Sequence, residues 1–172
     1  SLYRSWRGSG LERAALQSDK PLWLVAGELQ AGKDVRYALK RLSKDTIRDT
    51  SRSVAKVCSS YPFVVFTTIL NPIESYDNLV QVMVDCLRFV TPLSLDVLAF
   101  CILSRLSGSA GGVNRSRLKD DGVHVSQWLQ SLESFTGAFY KCFPLIELRG
   151  ILCYVMRRLK DGHVMELGVL RK

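Results

Sequence analysis

Apolar residues in this chain recur at the spacing of an α-helix, and that spacing limits the fold more than any other feature. Leu79, Val82, Met83, Cys86, Leu87 and Val90 fall at i, i+3, i+4, i+7, i+8 and i+11, a continuous stripe on one helix face. Val125, Trp128, Leu129, Leu132, Phe135, Phe139, Cys142 and Phe143 follow the same rule, with Ser126 close to a cap position. Ile47, Val54, Val57, Cys58 and Tyr61 give a third such face. Two nearly all-apolar segments, 93–106 and 145–156, are expected as helices buried on most sides.

The punctuation between these segments suits helix pairs. Pro62 fits a first helical turn, where a missing N–H costs nothing. Pro72, Pro92 and Pro144 each stand at a join, and Gly162 in "KDG" sits where a left-handed C-terminal cap is wanted. The β-branched run "FVVFTTIL" (63–70) has no pairing partner, and Phe63, Phe66, Leu70 and Ile73 also fit a helix, so it is read as one. In 22–42 the arc of Leu22, Val25, Ala26 and Leu29 points away from that of Val35, Ala38, Leu39 and Leu42, which predicts a kink or break near Gly32. The Gly/Ser-rich run 107–114 reads as a mobile loop. The expectation is an all-α array of seven to eight helices in antiparallel pairs, as in helical-repeat scaffolds, without a strict sequence repeat.

At 172 residues the chain is long enough for one core, and 1–172 is read as a single helical domain. The start without Met and the stop at Lys172 suggest a piece of a longer polypeptide. No stretch reaches roughly 18 uninterrupted apolar residues, so no membrane span is expected, and "SLYRSWRGSG" has no signal-peptide core. Five cysteines (Cys58, Cys86, Cys101, Cys142, Cys153), none in a C-x-x-C pair, read as reduced core residues of an intracellular protein. Asn114-Arg115-Ser116 matches the glycosylation acceptor pattern without a secretory context.

Catalytic chemistry finds little footing. "GELQAGKD" (27–34) fits G-x-x-x-x-G-K, but Asp34 replaces the hydroxyl residue that would hold magnesium. "VQVMVD" (80–85) imitates a strand ending in a metal-binding Asp85, yet its residues already belong to a helical stripe. An enzyme using Gly27, Gly32, Lys33 and Asp85 is therefore the minor alternative. His124 and His163 lack metal-ligand spacing around them, and no nucleophile elbow or Cys–His pair is visible. Lys119, Asp120 and Asp121 before Gly122 read as turn chemistry near a helix start. No metal or other cofactor and no small-molecule substrate is expected.

The net charge of +8 favours an acidic partner, either nucleic acid or protein. Arg36, Lys40, Lys44, Arg48, Arg52 and Lys56 recur every four residues, with Arg41 and Lys33 alongside. On a helix over 44–58, Lys44, Arg48, Arg52 and Lys56 lie opposite Ile47, Val54 and Val57, while Asp45 and Asp49 partly neutralise them. Two readings stand: a solvated face, or a surface for an RNA backbone or acidic partner. Without aromatics among these charges, any RNA contact would be electrostatic and sequence-blind. "PIESYDNLV" (72–80) is read as a hinge rather than an acid–base site. Pro72 would end one helix, Ser75 or Asp77 would cap the next, and Tyr76 would pack at the joint.

Several of these stretches carry a resemblance. "YALKRLSKDTIRDTSRSVAKV" (37–57), "ILNPIESYDNLV" (69–80), "LRFVTPLSLDVLAFCIL" (87–103), "RLKDDGVHVSQWLQSLESFTGAFYK" (117–141) and "LRGILCYVMRRLKDG" (148–162) resemble, in order, the central region of the large scaffold subunit family of the THO complex, subunit 2. The opening "LYRSW" is similar as well. The resemblance implies a nuclear, non-enzymatic helical scaffold, similar in part to the helical domains of translation-initiation scaffolds. It implies a role in coupling transcription to mRNA packaging and export. The partners it implies are the other THO subunits, a DEAD-box ATPase and an export adaptor, with neither a membrane nor a catalytic residue involved. One departure stands out: where the family has a charged connection, 107–116 is Gly-rich here. A stand-alone RNA-binding helical module is the further alternative.

Overall fold

A computed structural model of the chain describes residues 21–43, 46–108, 116–119, 124–162 and 168. Lys44, Asp45, residues 109–115, Asp120 to Val123 and His163 lie outside the described residues, as do residues 1–20 and the terminal Lys172. The expectations placed on them therefore stay sequence readings.

Seven α-helices run through the described residues: α1 (Leu22–Lys40), α2 (Ile47–Cys58), α3 (Pro62–Ser75), α4 (Val80–Cys86), α5 (Pro92–Leu106), α6 (Gln127–Cys142) and α7 (Arg149–Lys160). Two 3-10 turns, Asp77–Leu79 and Leu87–Phe89, flank α4. The only β-type pairing among the described residues is an isolated bridge between Leu118 and Val125. The chain is all-α, as the periodicity predicts.

The β-branched run 63–70 forms the heart of the structure as helix α3. It starts on Pro62 in the first turn, where proline's fixed φ suits a helix. Val65, Phe66, Ile69, Leu70 and Ile73 are all buried, and α3 packs against α1, α2, α5 and α6. Each such side chain stabilises the fold by about 1.5–3 kcal/mol through burial. One apolar cluster extends from Val35 of α1 through α3 and Phe135 and Phe139 of α6 to Ile151 of α7. Thr91 caps α5 by accepting from Ser94 N–H, and Pro92 follows at the first helical position. Gly162, at φ +79°, closes α7 in the left-handed region as expected, its N–H donating to Leu159 O.

Four expectations are corrected. First, α1 runs unbroken through Gly32, because its buried face is made by small residues. Ala31 and Gly32 join Val25 and Val35 against the core, while Leu29 stays exposed. Second, Pro72 does not end α3. It sits inside the last turn, where Tyr76 N–H still donates to Pro72 O. Third, 145–156 is not buried on most sides, whereas in 93–106 only Leu93, Asp96 and Phe100 are exposed. Leu93 and Phe100 of α5 face outward, and 145–148 precedes α7, which buries only Ile151 and Val155. Fourth, all five thiols are free, but only Cys58, Cys86 and Cys101 are core residues. Cys142 ends α6 and Cys153 lies on the outward side of α7.

Candidate partner-binding surface

The polar stretch 72–80 is a structural joint. The Glu74 carboxylate, almost fully buried, accepts from Arg105 Nη1 at 2.8 Å. Arg105 Nη2 donates to Asn71 Oδ1 at 2.8 Å and to Thr67 O at 3.2 Å, so one guanidinium ties α5 to the last turns of α3. Charge-assisted, forked contacts of this kind fix geometry as well as adding energy. Asp77 and Ser75 cap nothing: the 3-10 turn starts at Asp77 without a side-chain cap. The Asp77 carboxylate instead accepts from the buried Ser131 hydroxyl of α6. Tyr76 does not pack at the joint; its side chain is exposed. Here the tertiary contact takes the group that local chemistry would have used.

The described basic residues, Arg36, Lys40, Arg41, Arg48, Arg52 and Lys56, are exposed, but they do not form one stripe. Three shallow grooves take four of them. Arg36 and Lys40 stand on a groove of about 570 Å³ where the end of α1 meets the end of α3 and the start of α4. Arg41 lines a second groove of about 390 Å³ with Tyr37, Asp34 and Asp49. Its guanidinium lies 5.4 Å from the Tyr37 ring centroid and donates to Tyr37 Oη at 3.2 Å. Arg48 lines a third, of about 410 Å³, with Asp85, Arg88 and Phe89. Arg52 lies 5.8 Å from the centroid of the exposed Phe89 ring. Lys56 is exposed on the same side of α2, and Lys44 is outside the described residues.

The absence of aromatics among these charges is therefore overturned. Tyr37 was visible, lying between Arg36 and Lys40 in sequence. Phe89 was not, because only the packing of α2 against the 3-10 turn Leu87–Phe89 brings it to Arg52. Arg88 and Arg105 were also missed; both are isolated cations within apolar stretches, a pattern that on its own does not separate a surface charge from a buried anchor.

The phosphate-loop motif has the wrong backbone. Gly27 to Asp34 are helical throughout, so their N–H groups belong to the α1 ladder instead of converging on an anion, and Asp34 accepts from Gln30 one turn earlier at 2.8 Å. The nucleotide-binding reading falls with that loop. Burial pushes the Cys101 thiol up to about 11, partly offset by Arg105, and likewise raises Cys58 and Cys86. At neutral pH these thiols stay protonated and are poor nucleophiles. His124 is exposed, and its backbone carbonyl accepts from Lys119 N–H. Among the described residues no group of three His, Cys, Asp or Glu side chains could hold a metal ion, and no helix is long and apolar enough to cross a membrane.

Residues 54–133 match the family described as Transcription- and export-related complex subunit. THO complex subunit 2 of Arabidopsis thaliana is 40% identical over 152 residues, covering 88% of this chain. THO complex subunit 2 of Homo sapiens is 36% identical over 171 residues, covering 99% of the chain. That of Saccharomyces cerevisiae is 29% identical over 143 residues, or 83% of the chain. The chain spans 8 to 10% of the length of these relatives.

Proposed function

The chain belongs to the THO complex subunit 2 family, and on that premise we propose that it is a non-catalytic scaffold segment of the nuclear THO complex. In this reading 1–172 is one helical domain of repeat-scaffold type. It contributes to coupling transcription with mRNP assembly and mRNA export by holding other THO subunits, and through the larger assembly a DEAD-box ATPase and an export adaptor.

The observation that carries the reading is how the chain uses its ionisable groups. Glu74 and Arg105 lock two helices together, while Arg36, Lys40, Arg41, Arg48, Arg52 and Lys56 point outward from a rigid core. Fixed helices displaying charge suit recognition of an acidic surface, where complementarity mainly governs specificity and on-rate.

RNA is the second reading, favoured by the Arg52–Phe89 pair. Bases stack on exposed aromatic faces, and cations beside them hold the phosphates. The test is Arg48→Glu, Arg52→Glu and Lys56→Glu together in the full-length subunit. Loss of other THO subunits on co-purification supports the scaffold reading, and loss of RNA alone supports the RNA reading. If neither is lost, this face of α2 has no part in binding.

A further inference from the structure

The groove of about 570 Å³ between α1, α3 and α4 differs from the other two in its chemistry. Leu39, Leu42, Pro72, Leu79 and Val82 line it, all half-buried, above the buried Met83. Arg36 and Lys40 stand at its edge, and among its described lining residues there is no carboxylate. Asn71 also lines it, and because Asn71 Oδ1 is taken by Arg105 the amide presents N–H donors. An apolar floor, two cations and an amide donor describe a receptor for one kind of surface: aliphatic side chains flanked by carboxylates.

We propose that this groove docks an acidic amphipathic helix of a partner protein, its aliphatic side chains on Leu39, Leu79 and Val82 and its carboxylates on Arg36 and Lys40. The inference rests on reading Arg36 and Lys40 as partner-facing. Charge argues against the segments of 1–172 that lie outside the described residues as the occupant. Residues 1–20 carry four basic residues (Arg4, Arg7, Arg13, Lys20) against Glu12 and Asp19, a net of +2. Residues 163–172 carry Arg171 and Lys172 against Glu166, a net of +1. The undescribed stretch 120–123, with Asp120 and Asp121, holds a single apolar residue, Val123, too little to fill the floor. RNA is disfavoured because no aromatic ring is among the groove's described lining residues to receive a base.

The test uses full-length THO subunit 2 in the assembled complex, with a benzophenone amino acid at Val82 or, as the solvent-exposed second position, at Asn78. The expected result is a crosslink to a partner segment of net negative charge with aliphatic residues at helical spacing. Arg36→Glu with Lys40→Glu should lower its yield by about tenfold, the scale of two rim charges turned repulsive. Lysines in place of the segment's carboxylates should restore it. Crosslinks to RNA, to this same chain or to a basic or neutral segment overturn the proposal. So does a yield indifferent to the charge reversal, or no crosslink from either position. If the complex assembles without the crosslink, the groove assignment falls and the scaffold reading stands; if the chain fails to enter the complex, both fall.

Discussion

Arg105 reaches across from α5 to three acceptors on α3, and this single side chain shows how a cation can be structural in a basic protein. Removing one partner of a buried pair leaves the other charge without compensation, which costs about 3 kcal/mol or more, whereas replacing both by apolar groups is often neutral. Arg105→Met is expected to lower unfolding free energy by about 3 kcal/mol in urea denaturation. Adding Glu74→Met should recover most of that loss, and a double variant as unstable as the single would show that the ion pair itself is not what matters. Asp77 makes a parallel case. Its carboxylate serves Ser131 rather than a helix start, so Asp77→Ala and Ser131→Ala should each cost about 1 kcal/mol, with the double variant costing little more than either. Additive losses would return Asp77 to a local role.

At the scale of elements, α1 turns on two glycines with different surroundings. A Cβ at Gly32 would meet Val64 Cγ1 at 3.6 Å and Arg36 Nη1 at 3.5 Å, ordinary contact distances. Gly32→Ala should therefore stabilise the fold by about 0.5–1 kcal/mol, the helix-propensity difference. At Gly27 the Tyr61 ring already occupies the place, with Tyr61 Cζ 2.7 Å from a built Cβ and its hydroxyl closer still. Gly27→Ala must push that ring aside, and thermal denaturation should show it less stable than Gly32→Ala. Equal effects would mean that neither glycine marks a close helix approach. The same element explains why the two-arc reading of 22–42 fails. Hydrophobicity alone does not count Ala31 and Gly32 as a packing face, although their smallness is what lets α1 lie on α3.

For the molecule as a whole, charge and apolar surface are distributed rather than gathered. Exposed Leu148, Leu152, Met156 and Leu159 leave α7 with an uncovered apolar stripe, while the cations sit beside the grooves of α1 and α2. If RNA binds the α2 face, each phosphate neutralised adds about 0.7 to the slope of log affinity against log salt for a single strand. The Arg48, Arg52 and Lys56 reversal should then flatten that slope by about two units. A slope that does not move would place the RNA contacts elsewhere on the protein.

What the sequence determined by itself was the helical content, the inward stripes of α2, α4 and α6, the proline-led starts of α3 and α5 and the Gly162 cap. Each follows from periodicity or from backbone limits within a few residues. It also carried the family, since relatives 36 to 40% identical cover 88 to 99% of the chain. Only the tertiary structure decided that Glu74 and Asp77 answer to Arg105 and Ser131, residues 31 and 54 positions away. The fold alone also set Phe89 beside Arg52 and placed Arg36 with Lys40, Arg41 and Arg48 in three different grooves. These outcomes depend on which helices meet, and a one-dimensional pattern records which face of a helix is apolar but not what that face or its polar edge will touch.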